Sequence, residues 1–301
     1  MRPPVPVAAV VLLFVLVGAV GGLEAIRTQF EPPKPDGVEG AAPSVRAPQL
    51  VARAALNYDA IASDIYWTRV VQRYGRTKLS TDPAKRYDFL YPLLDVTTTL
   101  DPKFEVAYRF GSVFLAEQYP GGAGRPDLAI ALLEKGLAAN PTKWQYAQDI
   151  AFVHYWWRHD YPQAAEWFRR AARMPLAPNW LAPMAAVSLT QGGNRAAARR
   201  LWQQVFNNTE ADWLMDQARF RLTQLDAMDQ IDALQLRIET YRQATGRWPA
   251  TWGELLSARL LAGLPVDPRG FPYLLDPSSG RVGLTRESTL NPLPSADRGP
   301  R

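Results

Sequence analysis

The 301-residue chain contains no cysteine. That removes disulfides, thiolate nucleophiles and cysteine-based metal sites, and leaves either side of a membrane open as the working compartment. Histidine is almost as scarce. The two that occur, His154 and His159, share the stretch HYWWRH at a spacing that does not put both on one helical face. There is no His-Glu-x-x-His pair and no Gly-x-Ser-x-Gly elbow, and the glycine-rich YPGGAGRP lacks the Lys-Ser/Thr of a phosphate loop and follows no strand pattern. Glu134, Glu166 and Asp149 pair on paper as catalytic acids, but each fits an exposed helical position better. The chain therefore reads as a non-enzyme with no cofactor and no bound metal; an envelope enzyme with an unrecognised site is the alternative of another class. A block of one charge is missing too. Lys plus Arg (34) exceed Asp plus Glu (29) only mildly, and the excess is spread along the chain, so nucleic acid is not an expected partner.

What is present begins with apolar residues, 47% of the chain, enough to bury a real core. From Val5 to Leu23 the sequence VPVAAVVLLFVLVGAVGGL carries no charge over 19 residues. That length spans a hydrocarbon core of roughly 30 Å as a helix. Residues 1–24 are thus expected to be a transmembrane anchor, with a cleaved signal peptide as the competing reading because AVGG offers small residues near a cleavage point. Arg2 and the amino terminus precede the segment, which favours a single-pass cell-membrane protein with its body on the extracytoplasmic, periplasmic side. Residues 25–48, dense in Pro, Gly and Ala, read as an extended linker.

From residue 49 to 208 the pattern is helical and repeats. Pro102, Pro141 and Pro175 lie 39 and 34 residues apart; Ala129, Ala164 and Ala198 lie 35 and 34 apart; Phe168 and Trp202, and Ala171 and Val205, each lie 34 apart. A period near 34 is that of a two-helix unit in which small residues let paired helices approach and a large one fills the gap between pairs. On these residues, with Gly111 and Ala151 at the small position of the first helix, the chain resembles the tetratricopeptide-repeat superfamily over about residues 103–208, with a weaker helix pair from Gln49 to Leu100. Two departures are visible: the insertion EQYPGGAGRP between the helices of one unit, and Pro92 inside a preceding helix, where it is tolerable only in the first turn or as a kink.

The resemblance implies a mostly α fold, a helical-hairpin solenoid whose concave wall is lined by the first helix of each pair and receives a protein or peptide. Tyr108, Phe152, Tyr155, Trp156 and Trp180 fall on or near that wall and are the candidate partner-binding residues; packing between repeats is the competing role for HYWW. Arg169, Arg170, Arg173, Arg195, Arg199 and Arg200 form a basic stripe on the second helices, read as a solvated face rather than a lipid or acidic-partner site. Residues 209–245 read as one long amphipathic helix, or two continuous ones, capping the solenoid, with Leu214, Ala218, Leu222, Leu225, Met228, Ile231, Leu234 and Ile238 in steps of three and four. Asp226, Asp229 and Asp232 on it are expected to be solvated rather than to hold a cation.

Residues 246–301 have a different grammar: a glycine ending the long helix, a short helix WGELLSARLL, a turn VDPRG, and two strands PYLLD and RVGL joined by PSSG. Through Tyr241, Gly246, Trp248, Pro249, Pro265, Asp267, Pro268, Gly270, Pro272 and Tyr273 this small α+β tail resembles the segment after the long helix of type II secretion major pseudopilins. No pilin-type methylation motif precedes the helix and no acidic calcium loop follows the hairpin, so pilus assembly and calcium binding are not implied. Asp267 and Gly270 are expected to build a turn with Tyr273 packed over it. The expectation is thus a membrane-anchored extracytoplasmic scaffold, with an accessory or assembly factor of a pilus or secretion machine as the runner-up.

Overall fold

The computed structural model describes residues 58–294 without a break, plus positions 18, 48, 51 and 55. The expected anchor and linker lie outside the described residues, apart from those isolated positions. Among the described residues no helix is long and apolar enough to cross a membrane.

The protein is mostly α. Helices α1 (Asp59–Leu79), α2 (Leu90–Leu100), α3 (Glu105–Ala116), α4 (Pro126–Ala139), α5 (Trp144–Trp156), α6 (Tyr161–Ala172), α7 (Leu181–Gln191) and α8 (Arg195–Asn208) follow one another and each packs on the next. Contacts also skip a helix, from α2 to α4 and from α3 to α5. Pro102, Pro141 and Pro175 each sit in the link that joins one antiparallel pair to the following one, where no backbone N–H is needed. Pro92 occupies the first turn of α2 and Pro126 the first position of α4, so neither breaks a helix. The buried threonines of α2 satisfy their hydroxyls within the helix: Thr97 donates to the Leu93 carbonyl and Thr98 to that of Leu94, both at 2.8 Å. Asp160 and Asn194 cap α6 and α8 by accepting from the amides of Gln163 and Ala197.

The small residues hold the pairs together as their spacing predicts. Ala129, Ala151, Ala164 and Ala198 are fully buried, as are the large Phe168 and Trp202 between pairs. A Cβ on Gly111 would lie 2.5 Å from Cδ2 of Leu94, and one on Gly136 would lie 2.8 Å from the Tyr108 ring. At Gly136 the neighbour is a ring, so α3 and α4 come this close only because that atom is missing; at Gly111 the neighbours are the ends of flexible leucines, which can turn aside. The apolar clusters run on without a gap: half-buried Trp167 and Met174 touch both the cluster of α1 to α5 and that of α5 to α7, while Leu189 and Leu201 join the latter to the cluster of α7 to α9.

Helix α9 (Asp212–Thr245) is a single 34-residue helix. It ends at Gly246, whose φ of +77° provides the left-handed cap and whose N–H bonds the Arg242 carbonyl at 2.8 Å. Its first half, through Ala218, Leu225 and Met228, packs on α7 and α8; its second half, through Leu234, Ile238 and Tyr241, packs on the tail. The tail consists of α10 (Trp252–Ser257) and an antiparallel hairpin of β1 (Tyr273–Asp276) and β2 (Arg281–Leu284), with Tyr273 opposite Leu284. α10 is shorter than the sequence suggests, because the chain turns out of it at Arg259 with φ +57°. The VDPRG turn is built on Asp267, a buried carboxylate accepting from the amides of Arg269 and Phe271 and the hydroxyl of Ser288. Tyr273 is buried beside it, its hydroxyl donating to Gln230 Oε1 of α9 at 2.8 Å.

Candidate protein-binding face

Helices α3, α5 and α7 each open a pair, and each keeps one edge out of the core. On α3, Ala107, Tyr108, Gly111 and Leu115 turn inward, leaving Val106, Phe110 and Val113 exposed at steps of four and three, with Phe110 57% accessible. α5 exposes Trp156 to 60%, with half-buried Phe152 one turn before it. α7 offers Trp180 at its entry and half-buried Met184 and Val187 behind. The edges of α3 and α5 are joined by charge. Arg109 Nε donates to Asp149 Oδ2 at 2.6 Å, Glu105 lies 3.5 Å from Arg109, and Lys143 bonds Glu105 at 2.7 Å. Gln148 adds a bond to the second Asp149 oxygen. Burial pushes the Asp149 carboxyl up, and the Arg109 guanidinium counters it; Lys143 holds Glu105 below the usual carboxylate range. Two cations and two anions cancel, so the surface beside the apolar edge is electrically closed. Asp149, expected at an exposed position, is therefore a largely covered ion-pair partner.

The five aromatic candidates do not form one set. Tyr108 belongs to the core and leaves the candidate face: it is fully buried against Gly136, its ring centroid lies 5.3 Å from that of Tyr146, and its hydroxyl donates to the Thr98 carbonyl. Burial pushes its phenol up to about 12. The reason is its place three residues before Gly111, on the side of α3 that meets α4. Phe152 stands edge-on to Phe168 at 5.1 Å, and Tyr155 edge-on to Trp156 and Tyr161 at 5.0 and 5.4 Å, so both are half core and half surface. Trp156 and Trp180 are exposed, and Trp180 packs edge-on against Trp144 at 6.4 Å. Val106, Phe110 and Val113 were not among the expected residues. Their spacing of four and three puts them on one face of the helix, about 150° around from the inward-facing set of α3, but the sequence does not say which of these two apolar faces turns inward.

The basic stripe and the aspartates of α9 were expected as two separate solvated faces; two of the arginines and all three aspartates instead meet. Arg195 bridges Asp229 and Asp232, and Arg199 bridges Asp226 and Asp229, across the α8–α9 contact. The aspartates remain more than half exposed, but each has a partner. Of the remaining stripe, Arg169 pairs with Glu166 and Arg170 lies over the Trp167 ring at 4.7 Å. His154 is buried and its Nδ1 lies 3.7 Å from Asp160, with desolvation pushing its pKa down, so the imidazole is neutral near pH 7. Among the described residues no group of three or more histidines and carboxylates is disposed to hold a metal ion. Compared with known proteins, the chain matches no protein family, no curated protein and no solved structure.

Proposed function

We propose that this chain is a membrane-anchored extracytoplasmic scaffold whose helix pairs stack as a tetratricopeptide-like solenoid and hold a protein or peptide partner along the concave side. The observation that carries the reading is the apolar edge repeated on successive first helices: Val106, Phe110 and Val113, then Phe152 and Trp156, then Trp180. Exposed apolar stripes of this kind mark interaction sites, and aromatic side chains supply much of the energy at interface centres. The internally cancelled charges of Lys143, Glu105, Arg109 and Asp149 favour an apolar, weakly charged segment of the partner, since a charged one would find no unpaired counter-ion there.

The hairpin tail, with its order of long-helix end, glycine, short helix, Asp-Pro turn and two strands, supports a second reading in which the scaffold serves a pilus or secretion machine. Photo-crosslinking tests the first reading directly. A benzophenone amino acid at Phe110 or Trp156 in native membranes should give discrete crosslinked products, and the same probe at Arg200, on a second helix, should not. Equal labelling from all three positions, or none from the first two, would sink the proposal.

A further inference from the structure

The insertion that interrupts the repeat, residues 117–125, builds something the stacking of helix pairs does not need. With the link between α1 and α2 and the first turns of α2 and α4 it lines a half-open cavity of about 450 Å³, within the range of small-molecule sites. Its shape is fixed before any ligand arrives. Tyr87 donates to the Pro120 carbonyl at 2.9 Å, Tyr74 to that of Gly121 at 3.2 Å, and Tyr119 reaches across to the Pro83 carbonyl at 2.8 Å. The amides of Ala123, Gly124 and Arg125 bond back to Phe114, Glu117 and Leu115, stitching the insertion to the end of α3.

The lining is chemically lopsided. Lys85, Arg86 and Arg125 face a single carboxylate, Asp88. Arg125 is matched by Asp127, but Lys85 and Arg86 bond only main-chain carbonyls among the described residues: Lys85 those of Lys78 and Ser80, Arg86 those of Ala84 and Lys85. Two cations thus have hydrogen-bond partners but no counter-charge. α2 starts at the same place with no side-chain cap and no acidic residue in its first turn, so its dipole adds to the positive potential. The walls are tyrosine rings: Tyr119 is about half exposed, and the half-buried Tyr91 has a hydroxyl with no hydrogen-bond partner among the described residues. Flat apolar faces, a free hydroxyl and unmatched cations in one preformed cavity specify a ligand with a ring and a negative charge.

We propose that this cavity is a binding site for a small ring-bearing organic anion, its phosphate or carboxylate set toward Lys85 and Arg86 and its ring against Tyr91 and Tyr119. The site is independent of the apolar edge of the first helices. Titration calorimetry on the full chain in detergent tests it, with glucose 6-phosphate and phenyl phosphate as probes that separate a saccharide from an aryl ligand, and inorganic phosphate, glucose and phenol as controls. At least one of the two ring phosphates should bind about tenfold or more tightly than every control, a margin well outside the error of the method. Arg86→Gln, at an exposed position, should lower that affinity by about tenfold or more while leaving the far-ultraviolet circular dichroism unchanged. Tyr91→Phe, which keeps the ring, should lower it by a smaller factor. Inorganic phosphate binding as tightly as both ring phosphates overturns the proposal, as does a folded Arg86→Gln protein that binds like the parent.

Discussion

Replacing Gly136 by alanine tests whether the α3–α4 pair depends on the absence of one carbon atom. In an isolated helix the change is favourable, by about 1 kcal/mol. Here the new Cβ would lie 2.8, 3.0 and 3.1 Å from Cδ1, Cγ and Cε1 of Tyr108, against a favourable carbon–carbon separation of about 3.5–4.0 Å. The ring has little freedom to withdraw, being fully buried, flanked by Tyr146 and held by its hydroxyl on Thr98. Overpacking costs about 1–3 kcal/mol, and a rigid ring belongs in the upper half of that range. The net expectation is a loss of about 1–2 kcal/mol, read as a lower urea midpoint by circular dichroism at unchanged slope. In a Tyr108→Leu background, where the side chain can turn aside, the same substitution should be neutral or stabilising, so the two changes couple by more than about 1 kcal/mol. A Gly136→Ala protein as stable as its parent, with no coupling to Tyr108, would refute the claim that close approach is what this glycine provides.

Arg199, largely covered and bridging two aspartates of α9, should cost about 1 kcal/mol when changed to alanine, and the difference should shrink when urea melts are repeated at high salt. In the tail, hydrogen bonds from Ser279 and Ser278 hold the Asp276 carboxyl down at about 2. Because the folded value is below the unfolded one, the contribution of Asp276 is complete above the ordinary carboxylate range and is lost as pH falls toward 2. A carboxyl titration followed by NMR should show the low midpoint, and Ser279→Ala should raise it; an Asp276 midpoint near 4 in the parent would contradict the turn geometry.

Much of the helical frame was legible because periodicity records burial. Ala129, Ala164 and Ala198 repeat because each stands where two helices cross, and Pro102, Pro141 and Pro175 repeat because each stands in a link between pairs. The tail hairpin and its Asp267 turn were legible from turn chemistry, since Asp-Pro-x-Gly and Pro-Ser-Ser-Gly have few other uses. The binding face was less so. Whether Tyr108 or Phe110 points inward depends on a rotation of about 160° around α3, and in a helix apolar on both sides the sequence offers little to set it. The ion pairs of α8 with α9 were invisible for another reason: Arg195 and Asp232 are far apart in the chain, and no local pattern says which charges will face each other. The cavity beside the insertion needed two loops far apart in the chain, the α1–α2 link and the insertion itself, brought together with the ends of three helices, which only the folded chain reveals.

Helix α9 has no boundary where the helix pairs end and the tail begins. Leu234, Ile238 and Tyr241 are buried in one cluster with the tail residues Leu255, Leu261 and Tyr273, flanked by Trp248, Trp252 and Val282 of the tail, and the side chain of Gln224, well up the same helix, is bonded to the carbonyls of Leu290 and Pro292. Cutting the chain after Gly246 would therefore not free a passenger module but strip a greasy flank from a rod about 50 Å long, leaving a sticky, half-naked shaft. By the same token, a pull on the hairpin loads that shaft directly, and the strain arrives at α7 and α8 with no flexible joint to absorb it.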